Sequence, residues 1–392
     1  MLKGVIFDMD GVLVNSEPTN QEACRLLLEE YNKELSDELY KTFIGSTEKN
    51  LIKTLLKEYM IPLTEEEFLV EMRRRRRLLF ERDGYEGIEG TPELLKNLKA
   101  GGMLLAIASS SSMEVIEEVT ESLGIGEYFD LLVTGESVEH PKPAPDVFLK
   151  AAHQLGLEPS ECIVIEDSNN GVRAAVAAGM ACIGFENPDS GEQDLSKADI
   201  IVLGFEEVDL EFVLEIYKRS VGEPLIIGET EHLLIREMKI EDLPVIRKFY
   251  EEENTGGYME PLSVNEEFEI DRLKKYIKFA YGFCGYGLWA VFLKETGEFV
   301  GQIGFTNAVI EGENELQLGY IIGMPHRRKG YAFEAAKCVL NYGRKKLGLD
   351  KFHMLVDSMN QPSRLLAVKL GFRKVGTLEE DGKKLEHYIL RS

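Results

Sequence analysis

Six short apolar runs punctuate the stretch from Met1 to about Ser220: Val5–Phe7, Met103–Ala108, Leu131–Val133, Cys162–Ile165, Ala181–Phe185 and Ile200–Leu203. They are rich in β-formers, flanked by Gly, Ser or Asp, and separated by helical patterns. A strand that is apolar at nearly every position must be covered on both faces, as in a parallel sheet wrapped by helices. The expectation is an α/β, Rossmann-like fold over residues 1–220. Between the first and second runs lies a long helical insertion, about Ser16 to Glu89, exemplified by Ala23, Leu26, Leu27 and Glu30 at helical spacing. It reads as a helical cap (about 16–89) over a core of about 1–15 and 90–220.

Val221 to Glu231 (VGEPLIIGETE) carries two Gly, one Pro and no clear period, and reads as a linker. From 232 to 392 the pattern changes. Leu233–Arg236 reads as a strand, and Glu241–Glu252 as a helix with Pro244 in its first turn. Leu288–Lys294 and Phe299–Phe305 flank a Thr296-Gly297 turn as a hairpin, and Glu315–Ile322 adds a further antiparallel strand. A helix over Phe333–Leu347, a strand at Phe352–Val356, a short helix and strands near Val375–Leu378 and Leu385–Leu390 follow. The second domain is therefore expected to be mixed α/β with a mainly antiparallel sheet. A chain of 392 residues is long for one core and comfortable for two.

Charge and cysteines narrow the classes. A net charge of −24 argues against general affinity for nucleic acid or anionic membrane. Cys24, Cys162, Cys182, Cys284 and Cys338 are scattered, fitting neither a disulfide framework nor a zinc pattern, so free thiols are expected. No apolar run reaches the roughly 18–20 residues of a membrane span. The start of the chain shows no charged-then-apolar leader, which leads to the expectation of a cytoplasmic protein.

The chemistry of the first domain starts at Phe7-Asp8-Met9-Asp10-Gly11. Two carboxylates one residue apart at a strand's end point out of the sheet's carboxyl edge, where open α/β sheets bind ligands. With a divalent cation, one can attack phosphorus while the other protonates the leaving oxygen and then activates water. Ser109 ends the second run with a hydroxyl able to hold a phosphate oxygen. Lys142 stands between Pro141 and Pro143, rigid flanks for a cation that must be aimed. Glu166-Asp167, followed by Ser168, Asn169, Asn170 and Gly171, offers hard oxygen ligands suited to Mg²⁺.

In order, Asp8-Met9-Asp10-Gly11, Ser109, Lys142 and Glu166-Asp167-Ser168 resemble the four motifs of the haloacid dehalogenase superfamily. Lys-Pro-Ala-Pro-Asp and Glu-Asp-Ser-x-x-Gly resemble its β-phosphoglucomutase-like, helical-cap branch. The resemblance implies Asp8 as nucleophile through an aspartyl-phosphate and Asp10 as general acid/base. Ser109 and Lys142 would hold the phosphate, and Asp8, Asp10 (through its backbone carbonyl), Glu166 and Asp167 would stand at Mg²⁺. The substrate expected is a small phosphorylated metabolite. In the mutases a histidine near the cap helps gate the acid/base; here that position is Asn20, which favours hydrolysis over mutase chemistry. Asn15 stands where relatives often carry Asp. The Arg73–Arg77 run reads as a solvated helix face balanced by neighbouring glutamates, with Arg75 or Arg76 near the packed side.

In the second domain, Met324-Pro325-His326-Arg327-Arg328-Lys329-Gly330-Tyr331-Ala332 links a strand to a helix. Such a basic, Gly-containing turn presents backbone N–H groups and a positive dipole end, a cradle for pyrophosphate. Arg327 through Ala332 reads Arg-x-x-Gly-x-Ala, which resembles the acyl-CoA signature of the GNAT acetyltransferases. Leu234-Ile235-Arg236, Gly319-Tyr320-Ile321-Ile322, and Asn360 with Ser363 ahead of Leu370-Gly371-Phe372 extend the resemblance toward the ribosomal-protein N-acetyltransferase branch. It implies acetyl-CoA as co-substrate, held by Arg327, Arg328, Lys329, Gly330, Tyr331, Ala332 and Asn360. The acceptor would be an amine, on a small molecule or a protein N-terminus.

Ser363 is the candidate acid for the departing thiolate. Glu315 or Glu313 is the candidate base, with a plain solvated turn over 311–315 as the alternative. Trp289 and the aromatic residues of 279–286 read as core before acceptor pocket, and Cys338 as a small buried apolar residue. Two enzymes in tandem is thus the leading expectation. A mutase in the first half, or an acetyl-CoA sensor in the second that regulates the phosphatase, are the alternatives.

Overall fold

The computed structural model describes residues 1–41, 48–253, 262–310, 312–380 and 382–391. Two compact units divide it, Met1–Val221 and Gly222–Ser392.

In the first unit six strands run parallel: β1 (Gly4–Phe7), β2 (Leu104–Ser109), β3 (Leu131–Thr134), β4 (Cys162–Glu166), β5 (Ala181–Phe185) and β6 (Ile200–Val202), in the order β3-β2-β1-β4-β5-β6. Burial explains the unbroken apolar runs. Val5 and Phe7 pack with Leu105, Ile107, Ile163 and Ile165 on one face of the sheet, while Ile6 packs with Ala106, Ala108 and Val164 on the other. Helices α1 (Glu17–Glu29), α2 (Asp37–Lys41), α3 (Glu48–Tyr59) and α4 (Glu65–Asp83) form the insertion. They have their own core, in which Cys24, Leu27, Leu28, Leu55, Phe68 and Met72 are buried. Helix α4 starts on a capping box: Thr64 accepts from Glu67 N, and the Glu67 side chain accepts from Thr64 N. The chain enters and leaves this cap along neighbouring paths, where Val14 bridges Gly87 and Asn15 N donates to Glu86 O at 2.8 Å. The core helices are α5 (Thr91–Ala100), α6 (Met113–Ser122), α7 (Asp146–Gln154), α8 (Asn169–Ala177) and α9 (Leu210–Ser220).

The second unit is an eight-stranded sheet in the order β13-β14-β12-β11-β10-β9-β8-β7. Its strands are β7 (Ile226–Glu229), β8 (Leu233–Arg236), β9 (Leu288–Leu293), β10 (Phe299–Ile310), β11 (Glu313–Ile322), β12 (Lys351–Asp357), β13 (Arg373–Glu380) and β14 (Lys383–Arg391). Strand β7 lies inside the stretch read as a linker. Its alternation was too short to register, and it forms by pairing antiparallel with β8. Helices α10 (Leu243–Glu253), α11 (Glu266–Tyr276), α12 (Tyr331–Lys345) and α13 (Gln361–Lys369) cover the sheet, and a π-helical segment, Ile277–Phe283, continues α11. Trp289 is fully buried between Phe305 and Tyr342, so it is core. Phe279 and Phe283 differ from the expected core packing: they stack on each other at 5.7 Å with their rings largely exposed, while Tyr281 between them is buried.

Neighbouring strands are antiparallel except β11 and β12, which run parallel and share one register pair, Gln317↔His353. Beyond that pair the two strands fork. Among the described residues no helix is long and apolar enough to cross a membrane.

Candidate active sites

At the carboxyl edge of the first sheet, Asp8 follows β1 and its N–H donates to Ile165 O at 3.0 Å, which ties it to β4. Lys142 Nζ donates to Asp8 Oδ1 at 2.5 Å and to Glu166 Oε1 at 2.8 Å, so three sequence-predicted groups meet at one point. All three are buried, and the Lys142 ammonium also sits 4.7 Å from the centre of the Phe148 ring. Burial raises the Asp8 pKa to about 7; Lys142 opposes this, while Glu166 and Asp10 add to it. Burial works against the charge on Lys142, but Asp8 and Glu166 prevail and its pKa is raised. Burial, with Glu166 and Asp8 nearby, pushes Asp167 well above the ordinary carboxylate value.

Glycines fix the two acidic motifs. A Cβ on Gly171 would stand 1.5 Å from Glu166 Oε1, so the first turn of α8 can pass the carboxylate only without a side chain. Gly11 has φ +81°, and a Cβ there would stand 2.0 Å from Asp167 Oδ2. Glu166 is also held by Ser168, whose N–H and hydroxyl donate to Oε2 at 2.7 and 2.9 Å.

Asp10 is positioned by hydroxyls. Ser16 Oγ donates to Oδ1 at 2.7 Å and Ser111 Oγ to Oδ2 at 2.8 Å, while Ser109 Oγ is 3.5 Å from Oδ2. Ser109, buried at the end of β2, accepts from Ser111 N at 3.0 Å. Sequence reasoning found Ser109 but missed Ser16 and Ser111. It also missed the loop after β5, where Ser190 Oγ donates to Asp167 Oδ2 at 2.5 Å and Asn187 Nδ2 to Gly11 O at 2.9 Å. Asn15, at the cap hinge, donates to Asp189 Oδ2 at 2.8 Å. In the arginine run, Arg75 is the packed one, bound to Glu71 and Glu30, and Arg74 and Arg77 pair with glutamates on the surface. Arg76 donates to Asn20 Oδ1 at 3.2 Å.

In the second unit the basic loop follows β11. Arg327, Arg328, Lys329 and Gly330 are exposed, and Tyr331 and Ala332 open α12 half-buried. Arg328 (φ +62°) and Gly330 (φ +91°) both take the left-handed conformation, and Gly330 stands at the N-cap of α12. That alternation turns the backbone sharply toward the helix's positive end. Arg327 Nε donates to Ile322 O at 2.8 Å and anchors the loop to β11. Asn360 is the N-cap of α13, accepting from Ser363 N at 3.2 Å, so the structure gives it a capping role. Ser363 Oγ lies 2.8 Å from Tyr320 Oη, joining α13 to β11 beside the fork. Glu313 is exposed; Glu315 is half-buried, bonded to Lys351 and held below its ordinary pKa by that bond. Glu311 lies outside the described residues. Cys338 is partly buried against the core.

Residues 5–185 match the haloacid dehalogenase-like hydrolase family, and residues 232–373 the acetyltransferase (GNAT) domain family. A phosphorylated carbohydrates phosphatase of Thermotoga maritima is 32% identical over 179 residues, covering 46% of this chain and 82% of that protein. The chain belongs to the haloacid dehalogenase-like hydrolases. Fused to that hydrolase domain is a C-terminal GNAT acetyltransferase domain. A fructose-1-phosphate phosphatase of Escherichia coli is 31% identical, over 46% of this chain and 94% of its own length. A solved structure of a putative β-phosphoglucomutase from Thermotoga maritima has 30% identity and a TM-score of 0.48, covering 55% of this chain and 99% of its own.

A haloacid dehalogenase-like hydrolase implies a divalent cation, and the donor set of this edge fits one. Asp8, Glu166 and Asp167 are buried acids facing the single ammonium of Lys142, which leaves negative charge that burial penalises. Among the described residues no group of three His, Cys, Asp or Glu side chains is arranged to enclose a metal. Mg²⁺ needs no such cage, since it keeps several waters and takes one or two carboxylates beside substrate phosphate.

Proposed function

We propose that the N-terminal domain hydrolyses a small phosphate monoester through an aspartyl-phosphate on Asp8. The observation that carries this reading is the buried Asp8–Lys142–Glu166 cluster at the strand ends, with Asp10 beside it held by two hydroxyls. Asp8 attacks phosphorus in line with the ester oxygen. Lys142 and Ser109 take the phosphoryl oxygens, and Asp10 protonates the leaving alkoxide and then deprotonates the water that opens the acyl phosphate. Mg²⁺, held by Asp8, Asp167 and the Asp10 carbonyl, would neutralise charge on the transferring group. Glu166, expected beside the metal, has Oε1 engaged by Lys142 and Oε2 by Ser168, and on this reading serves as the anchor of Lys142. The phosphorylated-sugar phosphatases among the relatives support a phosphorylated polyol or sugar as the substrate class. Asn20, engaged with Arg76, stands where a mutase would need a histidine, which supports hydrolysis and the helical-cap phosphatase reading.

The C-terminal domain, on the same proposal, transfers acetyl from acetyl-CoA to an amine, in the manner of the N-terminal acetyltransferases of ribosomal proteins. Arg327 to Ala332 cradle the pyrophosphate, and Ser363 with Tyr320 protonates the departing thiolate. The two activities are assigned separately. Phosphate release from a panel of sugar and nucleotide phosphates with Mg²⁺, wild type against Asp8→Asn, tests the first. Release abolished by the substitution is expected, and equal release from both proteins rules out Asp8 as the nucleophile.

A further inference from the structure

Two histidines that no motif points to meet on the second sheet. His353 on β12 and His387 on β14 are buried, at 2% and 4% exposure, with Nδ1 of the first 2.8 Å from Nε2 of the second and their rings stacked. His353 Nε2 has no hydrogen-bond partner, and Glu315 Oε2 on β11 stands 3.5 Å from it. A buried imidazole nitrogen left this way costs stability.

Position gives it a use. His353 is the β12 member of the single register pair that joins β12 to β11, so it sits at the root of the fork. Strand alternation sorts the groups there into two faces. Tyr320 opposes Ile303, which opposes Trp289, and Trp289 packs on Tyr342 of α12; Tyr320 and its partner Ser363 therefore lie on the α12 face. Gln317, three residues earlier on β11, opposes His353, so Glu315, His353 and His387 lie on the other face. Hydroxyl donors stand on one side of the fork and proton acceptors on the other.

We propose that Glu315, His353 and His387 form the proton relay that deprotonates the acceptor amine of the C-terminal domain, with His353 as the group that receives the proton and passes it on to His387. The assignment rests on the acetyltransferase reading and deepens it. Glu315 is half-buried with Oε2 3.5 Å from His353 Nε2, and its bond to Lys351 holds its carboxyl below the ordinary value. Burial lowers the pKa of His353, so its imidazole is neutral and ready. The charged and titratable groups acting on it are Glu315 from β11, Lys351 on its own strand, and His387 and Arg391 from β14.

An ammonium gives one proton through Glu315 to His353 Nε2. The freed nitrogen pair forms the C–N bond as C–S breaks, and the C–S electron pair leaves on sulfur. Sulfur takes a proton from the Tyr320–Ser363 hydroxyl pair. The second proton, lost from nitrogen as the amide forms, restores that pair through solvent.

The test uses the full chain with acetyl-CoA and three acceptors: a peptide with a free seryl N-terminus, ethanolamine phosphate and glucosamine 6-phosphate. His353→Gln is expected to lower kcat by about 10²-fold or more. Its KM for acetyl-CoA should stay unchanged, and the acid limb of its kcat/KM profile should disappear. His387→Asn should move kcat the same way by less. If His353→Gln does not fold, as circular dichroism would show, Glu315→Gln is read for the same limb and rate. A variant that keeps both the limb and a kcat within about threefold of wild type overturns the relay while leaving acetyl transfer standing. A wild-type chain that binds acetyl-CoA and acetylates none of the three overturns the transfer reading and the relay together.

Discussion

Asp8, Glu166 and Asp167 stand buried around Lys142 at the edge of the first sheet, whereas Arg327, Arg328, Lys329 and Gly330 lie exposed at the end of β11. At the first edge, charge is desolvated in advance and every acidic group is held by a named donor or by a glycine that cannot be replaced. At the second, two left-handed residues shape the loop, Arg327 bonds Ile322 O and His326 bonds Glu298, and Arg327, Arg328 and Lys329 are exposed. The difference fits the chemistry proposed for each edge. Phosphoryl transfer needs a nucleophile, a cation and an acid fixed together before the substrate arrives, while gripping a pyrophosphate needs mainly oriented N–H groups. Substitutions should accordingly be costly to stability at the first edge and mild at the second.

The largest effect is expected from Lys142→Met, which leaves Asp8 and Glu166 buried without their counter-charge. Loss of one partner from such a cluster costs about 3–5 kcal/mol. The urea midpoint of the first domain should fall, with partial recovery on adding Mg²⁺. A midpoint unchanged in chelator would break the contrast. Gly171→Ala is next, because its Cβ meets Glu166 Oε1 at 1.5 Å and either the carboxylate or α8 must shift. A loss of about 1–3 kcal/mol is expected in the same denaturation assay, with phosphate release falling alongside. Gly330→Ala should be milder. Nothing lies within 4 Å of the new Cβ, so only its φ of +91° resists, at about 1 kcal/mol. Calorimetry should show acetyl-CoA binding weakened more clearly than folding.

A last expectation is a pair of opposite pH slopes. Burial raises Asp8 to about 7, so its contribution to folding is fully present below the unfolded carboxylate value of ~3.9 and is lost as pH rises through about 7. Lys374, with Tyr388 and Arg364, lowers Glu386 to about 2. That group contributes above its unfolded value of ~4.3, and the contribution is lost as pH falls toward about 2. Denaturation profiles in chelator should therefore diverge between wild type and Asp8→Asn in the first window, and between wild type and Glu386→Gln in the second. Parallel profiles would remove the electrostatic part of the comparison.

Residues at strand ends were the legible part of the site. Asp8 and Glu166 are separated widely along the chain but stand at the carboxyl ends of neighbouring parallel strands, and Lys142, on the loop between β3 and α7, reaches both there. Ser16 and Ser111 were not legible, because their bonds to Asp10 depend on how the cap hinge and the loop after β2 turn. Arg75 and Arg76 are equally cationic, and only the docking of α4 on α1 makes one an inward ion pair and sends the other to Asn20. The His353–His387 contact is set by the β12–β14 register, which no local pattern around either histidine encodes. Strand β7 was hidden by its shortness and its bulged pairing, and the exposed Phe279 and Phe283 by a π-helical turn that breaks the usual period.

The most direct measurement is rapid acid quench of the full chain turning over a sugar phosphate with Mg²⁺, followed by mass spectrometry of the peptide that contains Asp8. The account expects a phosphoryl group on Asp8 that hydroxylamine removes and that Asp8→Asn never acquires. Turnover with no phosphoryl group on that peptide at any quench time would contradict it.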